Sequence, residues 1–294
     1  MRGEGAAADR TVFGIGLSFL AFAVLSTADA LTKVLSARYS VFQIASVDGV
    51  AALFVVVPLL VRQEGMASLR PRRPAIVILR CALGAGSLML AFMSFSRIPL
   101  ADAYALAFLT PLAVTALSAP VLGEPVSWRQ WIAVIIGFVA VIGILRPDFG
   151  AVSVGQFYML ASAALFALSM LILRRIAKSE SSGALLLVYF VMLFLIGLPM
   201  AIAQWKTPAL ADLALMGLTG LCSGLGNLLL VMAFRNASAA IASSFMYTQL
   251  IWGTLFGLAL FGDLPDFITI GGAAIIMLCG IYTLRHASKA ARIA

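Results

Sequence analysis

The sequence has few charged residues, and this scarcity excludes most classes of soluble protein. Of its 294 residues, 11% are charged and 63% are hydrophobic, whereas a soluble domain has about 25% charged and about 45 to 50% apolar residues. A water-soluble fold of this length needs more charged side chains to cover its surface. A soluble enzyme, a DNA-binding protein and a disordered chain are therefore excluded as first interpretations.

Histidine and cysteine are too scarce for the common catalytic and metal sites. The only histidine, His286, cannot form a Ser-His-Asp triad or a histidine-based metal cluster. The three cysteines, Cys81, Cys222 and Cys279, lie singly in apolar segments without the C-x-x-C spacing of zinc sites. A G-x-x-x-x-G-K-[ST] nucleotide-binding segment is also missing. We therefore expect no cofactor, no metal, no ATP site and no enzymatic activity.

Long apolar runs are what the sequence has instead. Only α-helices fit runs of about 17 to 25 residues, because the strands of a membrane barrel would alternate polar and apolar residues. The sequence predicts an all-α polytopic membrane protein with ten transmembrane helices, joined by short loops into antiparallel hairpins. The ten spans lie near residues 11–35, 40–61, 75–96, 99–121, 128–146, 153–174, 183–203, 209–234, 237–261 and 267–285.

The basic residues are distributed unequally between the two sides of the predicted membrane. Loops that carry more Lys and Arg stay in the cytoplasm, so the larger set predicts a bacterial inner-membrane protein with both termini cytoplasmic. On the side of the N-terminus lie Arg2, Arg10, Arg62, Arg70, Arg72, Arg73, Arg129, Arg174, Arg175, Lys178, Arg235, Arg285, Lys289 and Arg292. On the other side lie Lys33, Arg38, Arg97, Arg146 and Lys206.

The second half of the sequence repeats features of the first half at a shift of about 139 residues. Two apolar chains share Gly and Ala by chance, but an acid follows glycine at equivalent span ends, in Gly123-Glu124 and Gly262-Asp263. The sequence predicts two five-helix repeats, residues 1–147 and 148–294. Because five is odd, the second repeat enters the membrane from the opposite side, which is an architecture of secondary transporters.

Two corresponding stretches resemble the two EamA repeats of the drug/metabolite transporter superfamily. They are FSRIPLADAYALAFLTPLAVTALSAPVLGE (95–124) and FRNASAAIASSFMYTQLIWGTLFGLALFGD (234–263), and each follows a Gly-x-Gly helix and precedes an apolar span. Pro111 and Glu124 match the family's mid-helix proline and terminal acid, whereas the second repeat has Leu250 at the proline position. This departure weakens the expectation that both halves bind substrate equivalently.

The resemblance extends over residues 14–285 and implies both a fold and a function. It implies a ten-helix carrier, often an exporter, whose central cavity is lined by helices one to four and six to nine. Within the superfamily the chain resembles bacterial exporters of aromatic amino acids in particular.

Four ionisable residues inside the predicted spans are candidates for coupling or gating, since such groups are costly in a membrane and usually face a cavity or a partner. Asp29 and Lys33 are spaced i,i+4 on helix one, so they can form an ion pair, and Lys33 can alternatively reach the membrane interface. Asp48 lies deeper in its span, about two turns into helix two, and is the candidate for proton coupling by exchange of a proton with bulk solvent. For Arg80 there are two expectations: its side chain binds a substrate carboxylate, or it extends back to the cytoplasmic interface.

Polar and aromatic residues at mid-depth are the candidates for solute binding. Tyr104 and Phe108 share a face of helix four, and Pro111 removes a backbone N–H and frees the carbonyl of Ala107, which predicts a kink. The alternative role for the Ser, Thr and Asn residues is hydrogen bonding between helices. The predicted substrate-binding residues are Ser87, Tyr104, Phe108, Thr110, Pro111, Tyr158, Ser162, Asn227, Tyr247 and Gln249.

These features predict a secondary transporter that exports small organic solutes by alternating access around a central cavity. The solutes expected are amino acids, aromatic or otherwise hydrophobic, or related metabolites. The partners expected are a small-molecule solute and the lipid bilayer, without nucleic acid, for a monomer or homodimer. The alternative is a membrane-embedded enzyme acting on a lipid-linked substrate, but the loops are short and show no acidic cluster. A channel would need a continuous polar stripe or a ring of carbonyls.

Overall fold

The structure, a computed structural model, describes residues 2–123, 127–145, 153–176, 179–236 and 245–293, and in these ranges all regular elements are helical. Three short segments are tighter or wider than an α-helix: 3-10 turns at Met66–Leu69 and Phe245–Thr248, and a π turn at Gly257–Phe261. The helices are α1 (Arg2–Ser36), α2 (Val41–Glu64), α3 (Pro74–Phe95), α4 (Leu100–Ala107), α5 (Leu109–Leu122), α6 (Trp128–Leu145), α7 (Val154–Ile176), α8 (Ser182–Ala203), α9 (Leu210–Asn236), α10 (Gln249–Phe256) and α11 (Phe267–Ile293).

The all-helical membrane fold is confirmed. Within the described residues, 8 helical spans are long and apolar enough to cross a membrane, and α4 and α5 together form one of them, Leu100–Val121. Two shorter apolar helical segments follow, Phe245–Phe261 and Phe267–Tyr282. These positions agree with the ten expected runs, and the count of ten spans stays a prediction.

The helices begin and end where the sequence offers starting and stopping residues. Pro74 occupies the first turn of α3, where its missing N–H costs no hydrogen bond. Ser181 caps α8, because its side chain accepts a hydrogen bond from the backbone N–H of Ala184. At the ends of α5 and of the π turn stand Gly123 and Gly262, with φ of 70° and 71°. This left-handed conformation strains other residues, so both Gly-acid motifs end a span. Glu124 lies outside the described residues.

The fourth span is interrupted where Pro111 predicts a kink. The α4 helix ends at Ala107, Phe108 lies between the two helices, and α5 begins at Leu109. A proline cannot donate to the carbonyl four residues earlier, and its ring displaces that carbonyl. The break therefore falls at Ala107, the residue whose carbonyl Pro111 leaves without its helical partner, and the predicted kink is confirmed.

The loops define two opposite ends of the helix bundle. The α1–α2 end comprises loops 37–40, 96–99, 204–209 and 262–266, and hydrogen bonds such as Ser40 Oγ to Oε1 of Gln204, 2.9 Å, join these loops. The α2–α3 end comprises loops 65–73 and 179–181, where Glu180 accepts hydrogen bonds from the backbone N–H groups of Arg72 and Arg73. Both ends are thus stabilised by polar contacts between loops that lie far apart in the sequence.

The first helices of the two halves run in opposite directions. Helix α1 ends next to Ile98, whose carbonyl accepts a hydrogen bond from Lys33. Helix α7 begins at the same end, since Gly155 packs against Arg97 and Ile98. The packing is also reciprocal: α1 packs on α9 as α3 packs on α7, and α2 packs on α9 as α3 packs on α8.

The outer surface of the described bundle is apolar. On α6, Ile135, Val139 and Ile142 are more than half exposed, a pattern that is typical of helices that contact lipid rather than water. Near the helix ends, Trp128 and Trp205 are also more than half exposed, in agreement with the aromatic belt at a membrane interface.

Candidate functional site

A partly buried polar contact joins α1 to α4 at the centre of the candidate site. The hydroxyl of Tyr104 donates a hydrogen bond of 2.7 Å to Oδ2 of Asp29. Tyr104 is 3% exposed, and its ring lies so close to Gly253 of α10 that a Cβ there would meet a ring carbon at 2.4 Å. Glycine at this position therefore lets the ninth span approach Tyr104, and one side chain links the first, fourth and ninth spans.

The ion pair expected between Asp29 and Lys33 is not formed, and this prediction is wrong. The Lys33 ammonium lies 3.1 Å from Oδ2 of Asp263 and donates to the carbonyl of Ile98 at 3.2 Å. It also lies 4.5 Å from the centroid of the Phe261 ring. Asp263 and Ile98 belong to loops of the α1–α2 end, whereas Asp29 lies one turn deeper and accepts a hydrogen bond from Tyr104. The i,i+4 spacing permits an ion pair on helix one, but each side chain instead contacts a residue that is distant in the sequence: Asp263 for Lys33 and Tyr104 for Asp29.

Asp48 is a fully buried acid without a close hydrogen bond in the described structure. The residue is 0% exposed, and neither carboxylate oxygen has a described partner at ordinary hydrogen-bond distance. Its backbone packs against Gly220 of α9, where a Cβ would lie 2.5 Å from the Asp48 carbonyl oxygen. Ser223 of α9 lies nearby, and Asp29 interacts with Asp48 electrostatically. A buried carboxylate without partners is costly, so a functional role is the default interpretation.

Tyr189 of α8 is a site residue that the sequence reasoning missed. It interacts electrostatically with Asp48, Asp29 and Arg80, and its ring packs 3.2 Å from where a Cβ of Gly84 would lie. A single tyrosine in a strongly apolar span was a usable signal. Arg80 has a side-chain contact to the sulfur of Cys81 at 3.8 Å, and its Nε has no described partner. Its role as a coupling or gating residue stays a prediction.

The aromatic residues predicted for the fourth and ninth spans do contact each other. The rings of Phe108 and Tyr247 pack edge to face with centroids 5.0 Å apart. Both are under 5% exposed, and the Tyr247 hydroxyl has no described hydrogen-bond partner. It points at Gly280 of α11, where a Cβ would lie 1.9 Å from the hydroxyl oxygen. In this conformation these aromatic residues are therefore packed together, not lining an open cavity.

Ser87 and Ser162 form hydrogen bonds with each other. Each hydroxyl lies within hydrogen-bond distance of the other residue's carbonyl, at 2.9 and 2.8 Å, and the two hydroxyl oxygens are 3.0 Å apart. The pair joins α3 to α7 at corresponding positions of the two halves. This arrangement matches the alternative of interhelical hydrogen bonding, and a role in solute binding stays a prediction.

The other predicted site residues are scattered around this centre. Thr110 is buried, Gln249 and Pro111 are partly buried, and Asn227 donates to the carbonyl of Ser223 in its own helix at 2.9 Å. Tyr158 lies apart from the centre, at the α1–α2 end, where the Arg97 guanidinium is 5.1 Å from its ring centroid. The structure thus brings together Asp29, Tyr104, Phe108 and Tyr247, and it separates Tyr158 and Lys33 from them.

The described residues contain no group of three or more His, Cys, Asp or Glu side chains that could hold a metal ion. An open groove of about 550 Å³ lies at the α1–α2 end, lined by Ser36–Ser40 and Ala203–Lys206. This groove is separate from the buried site. At its rim Tyr39 donates a hydrogen bond of 2.7 Å to Asp212, and this bond raises the pKa of the Tyr39 hydroxyl above its ordinary value.

A helical membrane bundle with buried ionisable groups between its halves is the architecture of a transporter. The profile of the EamA-like transporter family matches the chain twice, at residues 12–146 and 153–285. The chain therefore belongs to the EamA-like transporter family, as the resemblance predicted, and it is a membrane transporter of small solutes.

Two curated relatives are similar over nearly the whole chain. An S-adenosylmethionine uptake transporter of Rickettsia bellii is 27% identical over 277 residues, covering 94% of this chain and 95% of that protein. The pseudopaline exporter CntI of Pseudomonas aeruginosa is 28% identical over 269 residues, covering 90% and 94%. A solved crystal structure superposes with a TM-score of 0.64 at 15% identity, covering 94% of this chain and 96% of that chain. This last likeness concerns the fold alone.

Proposed function

We propose that this protein is a secondary transporter that exports small organic solutes, namely amino acids (aromatic or otherwise hydrophobic) or related metabolites, across a bacterial inner membrane. Its two halves, residues 1–147 and 148–294, act as inverted repeats that alternately expose the site to each side. The opposite directions of α1 and α7 and the reciprocal packing of the helices support this arrangement. No enzymatic step, cofactor or nucleic acid enters this function.

The observation that carries the proposal is the buried polar site between the two halves. Asp29 and Asp48 come from the first half, and the elements packed against them, α9 and the ninth span, come from the second half. Ionisable groups at such an interface are expensive in a membrane and typically mark the path of a solute. A movement of one half against the other would change their surroundings directly.

The proposed solute site has an aromatic part and a charged part. Tyr104, Phe108 and Tyr247 supply flat apolar surface, which suits aromatic or aliphatic side chains. Asp48 is the proposed coupling acid. The Lys33 ion pair is the proposed gate at the α1–α2 end, because it joins α1 to two loops there. The remaining predicted contacts are Ser87, Thr110, Pro111, Tyr158, Ser162, Asn227 and Gln249.

The relatives do not fix the direction of transport, since one is named an uptake transporter and another an exporter. Export is therefore a proposal to be measured. Both termini are proposed to lie in the cytoplasm, and the concentration of basic residues at the α2–α3 end supports this orientation. Impermeant thiol labelling of single cysteines introduced at Arg72 and at Lys206 tests this orientation. Labelling of the first position alone from outside intact cells would reverse it.

Flux measurements in liposomes test the function. The purified protein is reconstituted, and the movement of labelled phenylalanine, leucine and other amino acids is followed in both directions, with and without a pH gradient and without ATP. We expect flux that Tyr104→Ala, Tyr247→Ala or Gln249→Ala weakens. Phe267→Ala is the matched control, since Phe267 is 92% exposed. A requirement for ATP, or the absence of any solute flux, would contradict the proposal.

A further inference from the structure

The carboxylates of Asp29 and Asp48 lack a positively charged partner within the described structure. Salt bridges in the described residues are Lys33 with Asp263 and Arg38 with Asp212, and both lie at the α1–α2 end. Arg80 is the basic residue on the neighbouring α3, and it interacts with Tyr189 but forms no salt bridge with either acid. Neither acid therefore has a cation at salt-bridge distance within the described part of the chain.

Hydrogen-bonding capacity beside these acids is also unused. Asp48 is fully buried, and neither of its oxygens has a partner at ordinary hydrogen-bond distance, although the Ser223 hydroxyl lies close by. Ser26, one helical turn before Asp29, is also fully buried and has the Tyr104 hydroxyl as its neighbour. Buried polar groups are nearly always bonded at ordinary distance, so the two oxygens of Asp48 indicate that a ligand group completes them.

We propose that this site binds the cationic group of the transported solute, so that the transporter selects organic cations and solutes with a free ammonium group. The proposal rests on the proposed transport function and names the chemical class of its solute. A cationic group bound at these acids would balance their charge and form charge-assisted hydrogen bonds with their oxygens. Tyr104 holds Asp29 in place by its 2.7 Å hydrogen bond to Oδ2.

The aromatic residues beside the acids define the rest of the ligand. Tyr104 bonds Asp29, Tyr189 interacts electrostatically with both acids, and the contact of Phe108 with Tyr247 continues the aromatic surface across the fourth and ninth spans. A cation attached to a flat apolar body fits this combination, because aromatic faces attract both cations and rings. Since Asp48 is enclosed in this conformation, the solute reaches it when the two halves separate.

Two probes that differ in one charge test the proposal. L-phenylalaninamide carries a free ammonium, and N-acetyl-L-phenylalaninamide has the same ring and amide without that charge. Binding of both to the protein in lipid nanodiscs is measured by isothermal titration calorimetry. We expect the cationic probe to bind at least about tenfold more tightly, as one charge-assisted contact provides. Asp29→Asn and Asp48→Asn should each remove most of this preference and leave the affinity for the neutral probe within about twofold.

The controls separate this inference from the proposed function. Asp212→Asn removes an acid at the α1–α2 end and should leave the preference unchanged, and Asp29→Glu should retain most of it. Equal binding of the two probes, or binding of neither, overturns the proposal. So does a preference that both asparagine variants retain. A protein that fails these tests and still carries solutes across liposomes keeps its proposed function, whereas a protein without any solute flux loses that function.

Discussion

The ion pair between Lys33 and Asp263 should stabilise the fold measurably. It is the contact that replaced the pair expected on helix one, and it joins the first span to the end of the ninth. Lys33 is mostly buried, with its side chain 13% exposed, and Asp263 is 37% exposed. We expect Lys33→Met to cost more than Asp263→Asn, because an asparagine oxygen can still accept a hydrogen bond from the lysine.

The magnitude follows from the geometry. At 3.1 Å and an effective dielectric constant of about 20, the Coulomb attraction is about 5 kcal/mol before desolvation and lost side-chain entropy are subtracted. Solvent screens the more exposed Asp263, and fully exposed pairs are worth only about 0.2 to 1 kcal/mol. We therefore expect a coupling energy of about 1 kcal/mol. Lys33→Met should cost about 2 kcal/mol, since it also removes the bond to Ile98 and the contact with Phe261.

A double-mutant cycle measures this coupling. The free energy of unfolding is determined in mixed detergent micelles for the native protein, Lys33→Met, Asp263→Asn and the double variant. The pair Arg38 with Asp212 is the control, because its atoms are 3.5 Å apart and Arg38 is 73% exposed. Its coupling should stay below about 0.5 kcal/mol. A coupling near zero for Lys33 and Asp263, or one no larger than the control, would refute the reasoning.

Three further predictions concern single contacts. Ser162→Ala should cost about 1 kcal/mol of unfolding free energy, because it removes the hydrogen bond that Ser162 donates to the Ser87 carbonyl and the contact between the two hydroxyls, while Ser87 keeps its bond to the carbonyl of residue 162; no loss would contradict it. Gly220→Ala should cost about 1 to 3 kcal/mol, since its Cβ would lie 2.5 Å from a backbone oxygen, whereas Gly217→Ala has open space and should be neutral or better. The hydrogen bond between Tyr39 and Asp212 should stabilise the fold fully at any pH below the ordinary pKa of tyrosine. This stabilisation should be lost as the pH rises through the raised pKa of Tyr39. Asp212→Asn should therefore lower the Tyr39 pKa, measured as tyrosinate absorbance against Tyr39→Phe, and an unchanged value would contradict this.

The features that the sequence predicted well depend on local chemistry. Apolar runs of sufficient length specify membrane helices, and a proline inside a run specifies the break at Phe108. Gly123 and Gly262 occupy corresponding positions in the two halves because both adopt φ near 70°, the left-handed conformation that ends a span. These predictions succeed because each needs only a few neighbouring residues.

Contacts between distant spans could not be predicted from the sequence. Spacing alone favoured Lys33 as the partner of Asp29, but the structure supplies Tyr104 for one and Asp263 for the other. Both partners are far away in the sequence, so helical periodicity contains no information about them. Tyr189 was missed for the same reason, because its importance follows from where α8 packs.

Solute counterflow in liposomes tests the central claim, a carrier with alternating access, most directly. Vesicles that contain the protein and a high internal concentration of unlabelled L-phenylalaninamide are diluted into a trace of the labelled compound, with no ATP and no ion gradient. We predict a transient internal accumulation of label above its external concentration, absent from Asp48→Asn and present in Asp212→Asn. Simple equilibration of the label without an overshoot, as a channel would give, or no entry of label would contradict the account.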